Sequence, residues 1–148
     1  MNRLFIFIFI LIFSGCHNVK KEKSILEPSD AKISLHFPDW VHSAGIYEVN
    51  IRQYTKEGTF DAFSESLPRL KKMGVKILWF MPVFSISKDR KKGTLGSYYA
   101  VSDYQKINPA FGTEESFLKV VQMAHQLEMK VMLDWVPNHT GWSHHWIK

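Results

Sequence analysis

The chain has 148 residues, 45% of them hydrophobic and 14% aromatic, with a formal charge of +5 at pH 7. That composition is globular and excludes a disordered or fibrous chain, and the length is one ordinary domain or part of a larger one. The basic residues are spread along the sequence; the densest runs, at 20–23 and 88–92, read as a solvated tether and a solvated loop and argue against a nucleic-acid partner, and a single Cys excludes an internal disulfide.

The first stretch is MNRLFIFIFILIFSGC. Arg3 supplies a short positive start, and Leu4 to Phe13 form an apolar run. The run is too short to span a bilayer as a mature helix but suits the core of a signal peptide. Ser14 and Gly15 place small residues before Cys16. This resembles a bacterial lipoprotein box, in which the cysteine is lipidated and becomes the mature N-terminus. The resemblance implies a signal peptide at 1–15, a lipid on Cys16, and a membrane contact in the bacterial cell envelope, periplasmic or on the outer surface. Phe13 departs from the usual aliphatic residue at its position, so a plain signal peptide or an uncleaved anchor remains open. Residues 16–36 are polar and contain Pro28, which reads as a tether to a domain at 37–148.

Residues 45–54, GIYEVNIRQY, carry enough β-branched and aromatic side chains for a strand. In TFDAFSESLPRLKKMG, the apolar positions Phe60, Phe63, Leu67, Leu70 and Met73 recur at helical spacing. Gly74 is placed to stop that helix, and Pro68 predicts a kink or a restart within it. VKILWFMPV, 75–83, is nearly all apolar, the pattern of a strand buried on both faces. A long loop is expected over 84–112. The spacing then predicts a helix with Thr113 as its N-cap, Glu114 and Glu115 in the first turn, and a stripe of Phe117, Val120, Val121, Ala124 and Leu127. VMLDWV, 131–136, reads as a third strand, ended by Pro137.

Buried strands alternating with amphipathic helices predict parallel β-α-β units. All three strand ends then emerge on one side of the sheet, so the 84–112 segment and the NHTGW stretch must be neighbours. In β/α barrels that side carries the chemistry. Alternation along the third strand puts Asp134 in line with Val136 and Asn138, at the top of a barrel interior, with Asn138 and His139 at its rim. Tyr98, Tyr99, Asp103 and Tyr104 are expected on the same side. Tyrosines beside carboxylates suit a sugar: rings stack on its apolar face and carboxylates accept from its hydroxyls.

DWVPNH, YYAVSDY, VKILWFMPV and INPAFGT together closely resemble the N-terminal part of the alpha-amylase family, glycoside hydrolase family 13. The likeness covers about Gly45 to Trp142. It implies the N-terminal portion, about three βα units, of a (β/α)8 TIM barrel, and action on α-glucosidic bonds of starch-like glucans by a retaining mechanism. By the same likeness Tyr99 stacks on the sugar before the scissile bond and His139 hydrogen-bonds that sugar. Asp103 and Asp134 are supporting acids, Asp134 by orienting an arginine that comes later in the family's chain. Asn138 matches a residue that ligates calcium in many members. Tyr98 stands where the family often has glycine. The family's nucleophile and acid/base follow later strands. The expectation is therefore a fragment of a glycoside hydrolase whose substrate is an α-glucan or malto-oligosaccharide and which is inactive alone.

Other readings of these residues stay open at this point. Asp103 and Asp134 could be a glycosidase carboxylate pair, or ordinary acids satisfied by backbone N–H groups. His139, His144 and His145 could hold zinc. The tyrosines could simply pack the loop. The whole could be a lipid-anchored, non-catalytic glycan-binding or accessory protein on an amylase-like fold.

Overall fold

The computed structural model describes residues 36–147; the predicted signal peptide, Cys16 and all but the last residue of the predicted tether lie outside the described residues. Strand β1 (Gly45–Val49) is followed at once by a helical turn, α1 (Ile51–Tyr54). The strand predicted through Tyr54 therefore stops early. Asn50 makes the switch: its carbonyl accepts from Gln53 N–H at 3.0 Å, and Ile51 buries its side chain, 3% exposed. Burial of one branched side chain outweighs the strand preference of the segment.

The helix predicted over 59–74 is two helices, α2 (Phe60–Ser64) and α3 (Leu67–Lys72). Thr59 caps the first, its hydroxyl oxygen accepting from Ala62 N–H at 3.3 Å. Pro68 falls in the first turn of the second, where an N–H would have no helical partner anyway. The predicted restart at Pro68 thus occurs. Gly74, at φ +88°, ends α3 in the left-handed region. Phe60, Phe63, Leu67 and Leu70 are all fully buried, but Met73 is 58% exposed and lies outside the stripe.

β2 (Val75–Phe80) is the central strand of a three-stranded sheet in which it lies between β1 and the strand at Lys130–Leu133 (β5), with both pairings parallel. Val75, Leu78 and Phe80 are buried, whereas Ile77 and Trp79 are half-buried. Leu78 and Phe80 bury one face, while on the other only Val75 is buried, so the prediction of burial on both faces holds in part. Segment 84–112 is not a plain loop. It carries β3 (Phe84–Ile86) and β4 (Val101–Ile107), which pair as an antiparallel hairpin separate from the main sheet.

α4 (Glu114–Gln126) begins as predicted at Thr113, whose hydroxyl oxygen accepts from Ser116 N–H at 3.2 Å. Ser116 returns the bond, accepting from Thr113 N–H at 2.9 Å, so two donors at the helix start are satisfied reciprocally. β5 (Lys130–Leu133) is shorter than the predicted 131–136 strand. It ends well before Pro137, with one further ladder bond from Asp134 N–H to Phe80 O at 2.8 Å.

The core lies between the sheet and the helices. Val49, Leu78 and Phe80 from the strands meet Phe60, Phe63, Leu67, Leu70, Val120 and Ala124 from the helices. The rings of Phe63 and Phe80 meet edge-on at 5.4 Å, and those of Tyr54 and Phe63 at 4.8 Å. Such pairs add about 0.5–1.5 kcal/mol each beyond the area they bury.

Candidate functional site

The ladder of the main sheet continues past its strands at the C-terminal end. Met81 N–H donates to Val49 O at 3.0 Å, and Asp134 N–H donates to Phe80 O at 2.8 Å. These bonds fix the backbone of Asp134 relative to the core. Its carboxylate then accepts from the hydroxyl of Tyr99 at 2.9 Å. A phenol that donates to a carboxylate resists ionisation: this bond, followed by desolvation and the charges of Asp134 and Glu48, holds the Tyr99 hydroxyl above its ordinary pKa. The sequence reading had missed Glu48, because a single acid on an early strand carries no motif.

The two tyrosine neighbours behave differently. Tyr98 packs inward on the core, its ring 6.3 Å from that of Phe111 and under the guanidinium of Arg52 at 4.0 Å. It is not on the sugar-facing side predicted for it. Tyr104 braces the two loops. Its hydroxyl shares a proton between the carbonyl oxygens of Val136, at 2.6 Å, and His139, at 3.0 Å.

Asp103 stands apart from the Tyr99–Asp134 pair. On β4 it accepts from Gln105 N–H at 2.9 Å and pairs with Lys106 at 3.0 Å. These two bonds, in that order, hold its carboxyl below the ordinary range. Its contacts are local to the hairpin and do not reach the Tyr99–Asp134 pair. Asn138 and His139 are both exposed, and the Asn138 amide nitrogen lies 3.3 Å from His139 Nδ1. Among the described residues no three His, Cys, Asp or Glu side chains converge as a metal site, and that includes His139, His144 and His145.

The two loops are clamped together, as the parallel topology requires. Gly141 N–H donates to Val101 O at 2.6 Å, and Ser143 N–H donates to Ser87 Oγ at 3.1 Å. Gly141 is indispensable here for steric reasons. A Cβ on it would press into the Ala100 carbonyl oxygen and lie 2.6 Å from Ser87 Cβ. His144 is buried beneath this clamp, 1% exposed. Its Nδ1 accepts from Trp146 N–H at 3.1 Å, which leaves the proton on Nε2, buried without a partner. Burial first, then the neighbouring His145, pushes its pKa down against a smaller opposing pull from Asp103.

Residues 24–148 match the alpha-amylase family, described as alpha amylase, catalytic domain. This chain belongs to that family. Its sequence is 37% identical over 116 residues to a trehalose synthase of Thermus thermophilus, a match covering 75% of this chain and 11% of the relative. It is 31% identical over 116 residues to the amino acid transporter heavy chain SLC3A1 of Mus musculus, covering 74% of this chain and 16% of that protein. Among solved structures, an alpha-amylase from Lactobacillus plantarum superposes with a TM-score of 0.70 at 43% identity, over 71% of this chain and 25% of the other. The chain thus spans 11% and 16% of the two curated relatives. The α/β arrangement of β1, β2 and β5 with their helices is that of the N-terminal part of the amylase (β/α)8 barrel.

Proposed function

We propose that this chain forms the sugar-holding rim of an amylase-type site acting on α-glucosidic bonds of starch-like glucans. The observation that carries the reading is the Tyr99–Asp134 hydrogen bond at the C-terminal end of the sheet. It ties the phenol ring by its far end to a carboxylate whose backbone is part of the sheet ladder. A ring held in that way is a rigid platform for the apolar face of a glucosyl unit. His139, exposed at the rim, offers a ring nitrogen to a sugar hydroxyl, and Asp103 steadies the hairpin that presents Tyr99. Retaining cleavage needs a nucleophile and an acid/base about 5 Å apart. In the family these follow later barrel strands, so the 148-residue chain by itself binds malto-oligosaccharide without cleaving it. Calcium takes roughly six to eight oxygen ligands. Asn138 offers one amide oxygen, and among the described residues no group of three or more His, Cys, Asp or Glu joins it, so these residues alone do not make that site. The N-terminal SGC points to a lipid on Cys16 and a place in the bacterial cell envelope. Mass spectrometry of the mature N-terminus checks this, and an unmodified cysteine refutes it.

A second reading has its own support. The likeness to a transporter heavy chain suits a non-catalytic, lipid-anchored accessory protein on the same barrel. Calorimetric titration with maltotetraose tests the rim itself. Sugar binding that weakens about tenfold in Tyr99→Phe and in His139→Ala, each removing roughly one net hydrogen bond, supports the rim. No binding to the unsubstituted chain rejects it. Reducing sugar released from starch by the chain alone would reject the absence of cleavage.

A further inference from the structure

We propose that Arg52 is the positioning residue for Tyr99, holding the loop that delivers its hydroxyl to Asp134. The inference rests on reading that hydrogen-bonded pair as the sugar-facing platform. Arg52 sits in α1, directly after β1, because the strand stops at Val49 and the chain turns helical. Its Nη1 donates to Gly96 O at 3.1 Å, and Nη2 lies 3.5 Å from Leu95 O. The guanidinium carbon lies 4.0 Å from the Tyr98 ring centroid and 6.0 Å from that of Phe111. Among the described residues neither ion pair involves Arg52. A half-buried cation without a carboxylate is costly to desolvate. Here carbonyl dipoles and ring faces replace the carboxylate.

Those partners are what make the arrangement directional. Leu95, Gly96 and Tyr98 are held from one side by a single planar group. Gly96 takes φ +74°, and a Cβ there would lie 3.3 Å from Ile86 Cδ1, so the turn is tight on its other side as well. Tyr98 is thereby pinned inward against Phe111. Tyr99, the next residue, points the opposite way, with its N–H donating to Ser97 Oγ at 3.2 Å and its hydroxyl reaching Asp134. Arg52 touches neither Tyr99 nor Asp134 through any hydrogen bond. It acts on the site through the inward anchoring of Tyr98.

The test reads Tyr99 itself. Phenolate absorbance near 295 nm is followed against pH in the full chain, and the Tyr99 step is isolated by subtracting Tyr99→Phe in each background. In the unsubstituted chain that step lies above the ordinary tyrosine range. Arg52→Gln should return it to the ordinary range, because the hydroxyl no longer meets Asp134. Arg52→Lys keeps the charge over Tyr98 but loses the planar fork, and should give an intermediate step. A Tyr99 step unmoved in a folded Arg52→Gln overturns the proposal. If circular dichroism shows that variant unfolded, Arg52→Lys decides alone, and an unmoved step there overturns it. Maltotetraose binding by the unsubstituted chain is scored separately. Its absence removes the sugar reading and leaves the positioning result standing.

Discussion

Between the sheet and its helices, the molecule is held by aromatic and aliphatic burial; among the loops at the C-terminal end, a small aromatic cluster of Tyr104, His144 and Trp146 is joined by a few hydrogen bonds and one close backbone approach. The first region has Phe60, Phe63, Leu70, Leu78 and Phe80 at 0% exposure. The second has Gly141 against Ala100, Ser143 on Ser87, and Tyr104 reaching Val136 and His139. Burial tolerates shifts of atoms as long as volume is conserved, whereas a hydrogen-bonded clamp does not. The region that needs accurate placement of polar groups is therefore built from the less forgiving interactions.

Phe63→Ala attacks the first region and should have the largest effect. Its ring meets both Tyr54 and Phe80, and its loss should cost about 3–5 kcal/mol. Urea unfolding followed by circular dichroism should show a collapsed midpoint or no cooperative transition at all. Gly141→Ala attacks the second region. Overpacking against the Ala100 carbonyl should cost about 1–3 kcal/mol, and the loss should stay local. Helical signal should persist while hydrogen exchange quickens at 84–104 and 136–147. Global unfolding by this single methyl would erase the distinction between the two regions.

The smallest expected effect is on pH. His144 is buried with its folded-state pKa depressed, so its contribution is fully present above the unfolded histidine value of about 6.5 and is lost as pH falls through the folded value. Hydrogen-exchange protection factors at 136–147, taken relative to the intrinsic rate at each pH, should fall on acidification before any helical signal is lost, and His144→Phe should flatten that dependence. An unchanged loop at acid pH would mean that the clamp does not feel His144.

The elements that could be read in the sequence are those whose pattern is local. α4 was legible because Thr113, Glu114 and an unbroken stripe all agree, and β2 because it is nearly all apolar. The early stop of β1 was not, since IRQY carries strand-like residues and turns helical only because Ile51 finds the core. The β3–β4 hairpin was hidden because β3 has three residues and its register depends on partners as far apart as Phe84 and Ile107. At the site, the sequence placed Tyr99 and Asp134 on the same side of the sheet, and the hydrogen bond between them was not foreseen. It could not separate Tyr98 from Tyr99, because their opposite directions come from Arg52 and Phe111. Gly141 gave no signal either: its need for a bare Cα arises from a contact with Ala100, forty-odd residues away in the chain.

Phe80 belongs to both regions at once. Its ring lies in the core beside Phe63, while its carbonyl accepts the N–H of Asp134. The acid's location is consequently not a continuous variable. It changes only if β5 slips against β2, and strand slippage comes in whole residues, about 3.3 Å at a time. One such step would hand the Phe80 carbonyl to Leu133 or Trp135 and turn the carboxylate out of line with Tyr99. Substitutions among the helices can loosen or tighten this half of the molecule without detuning the pair, up to the point where the register itself gives way.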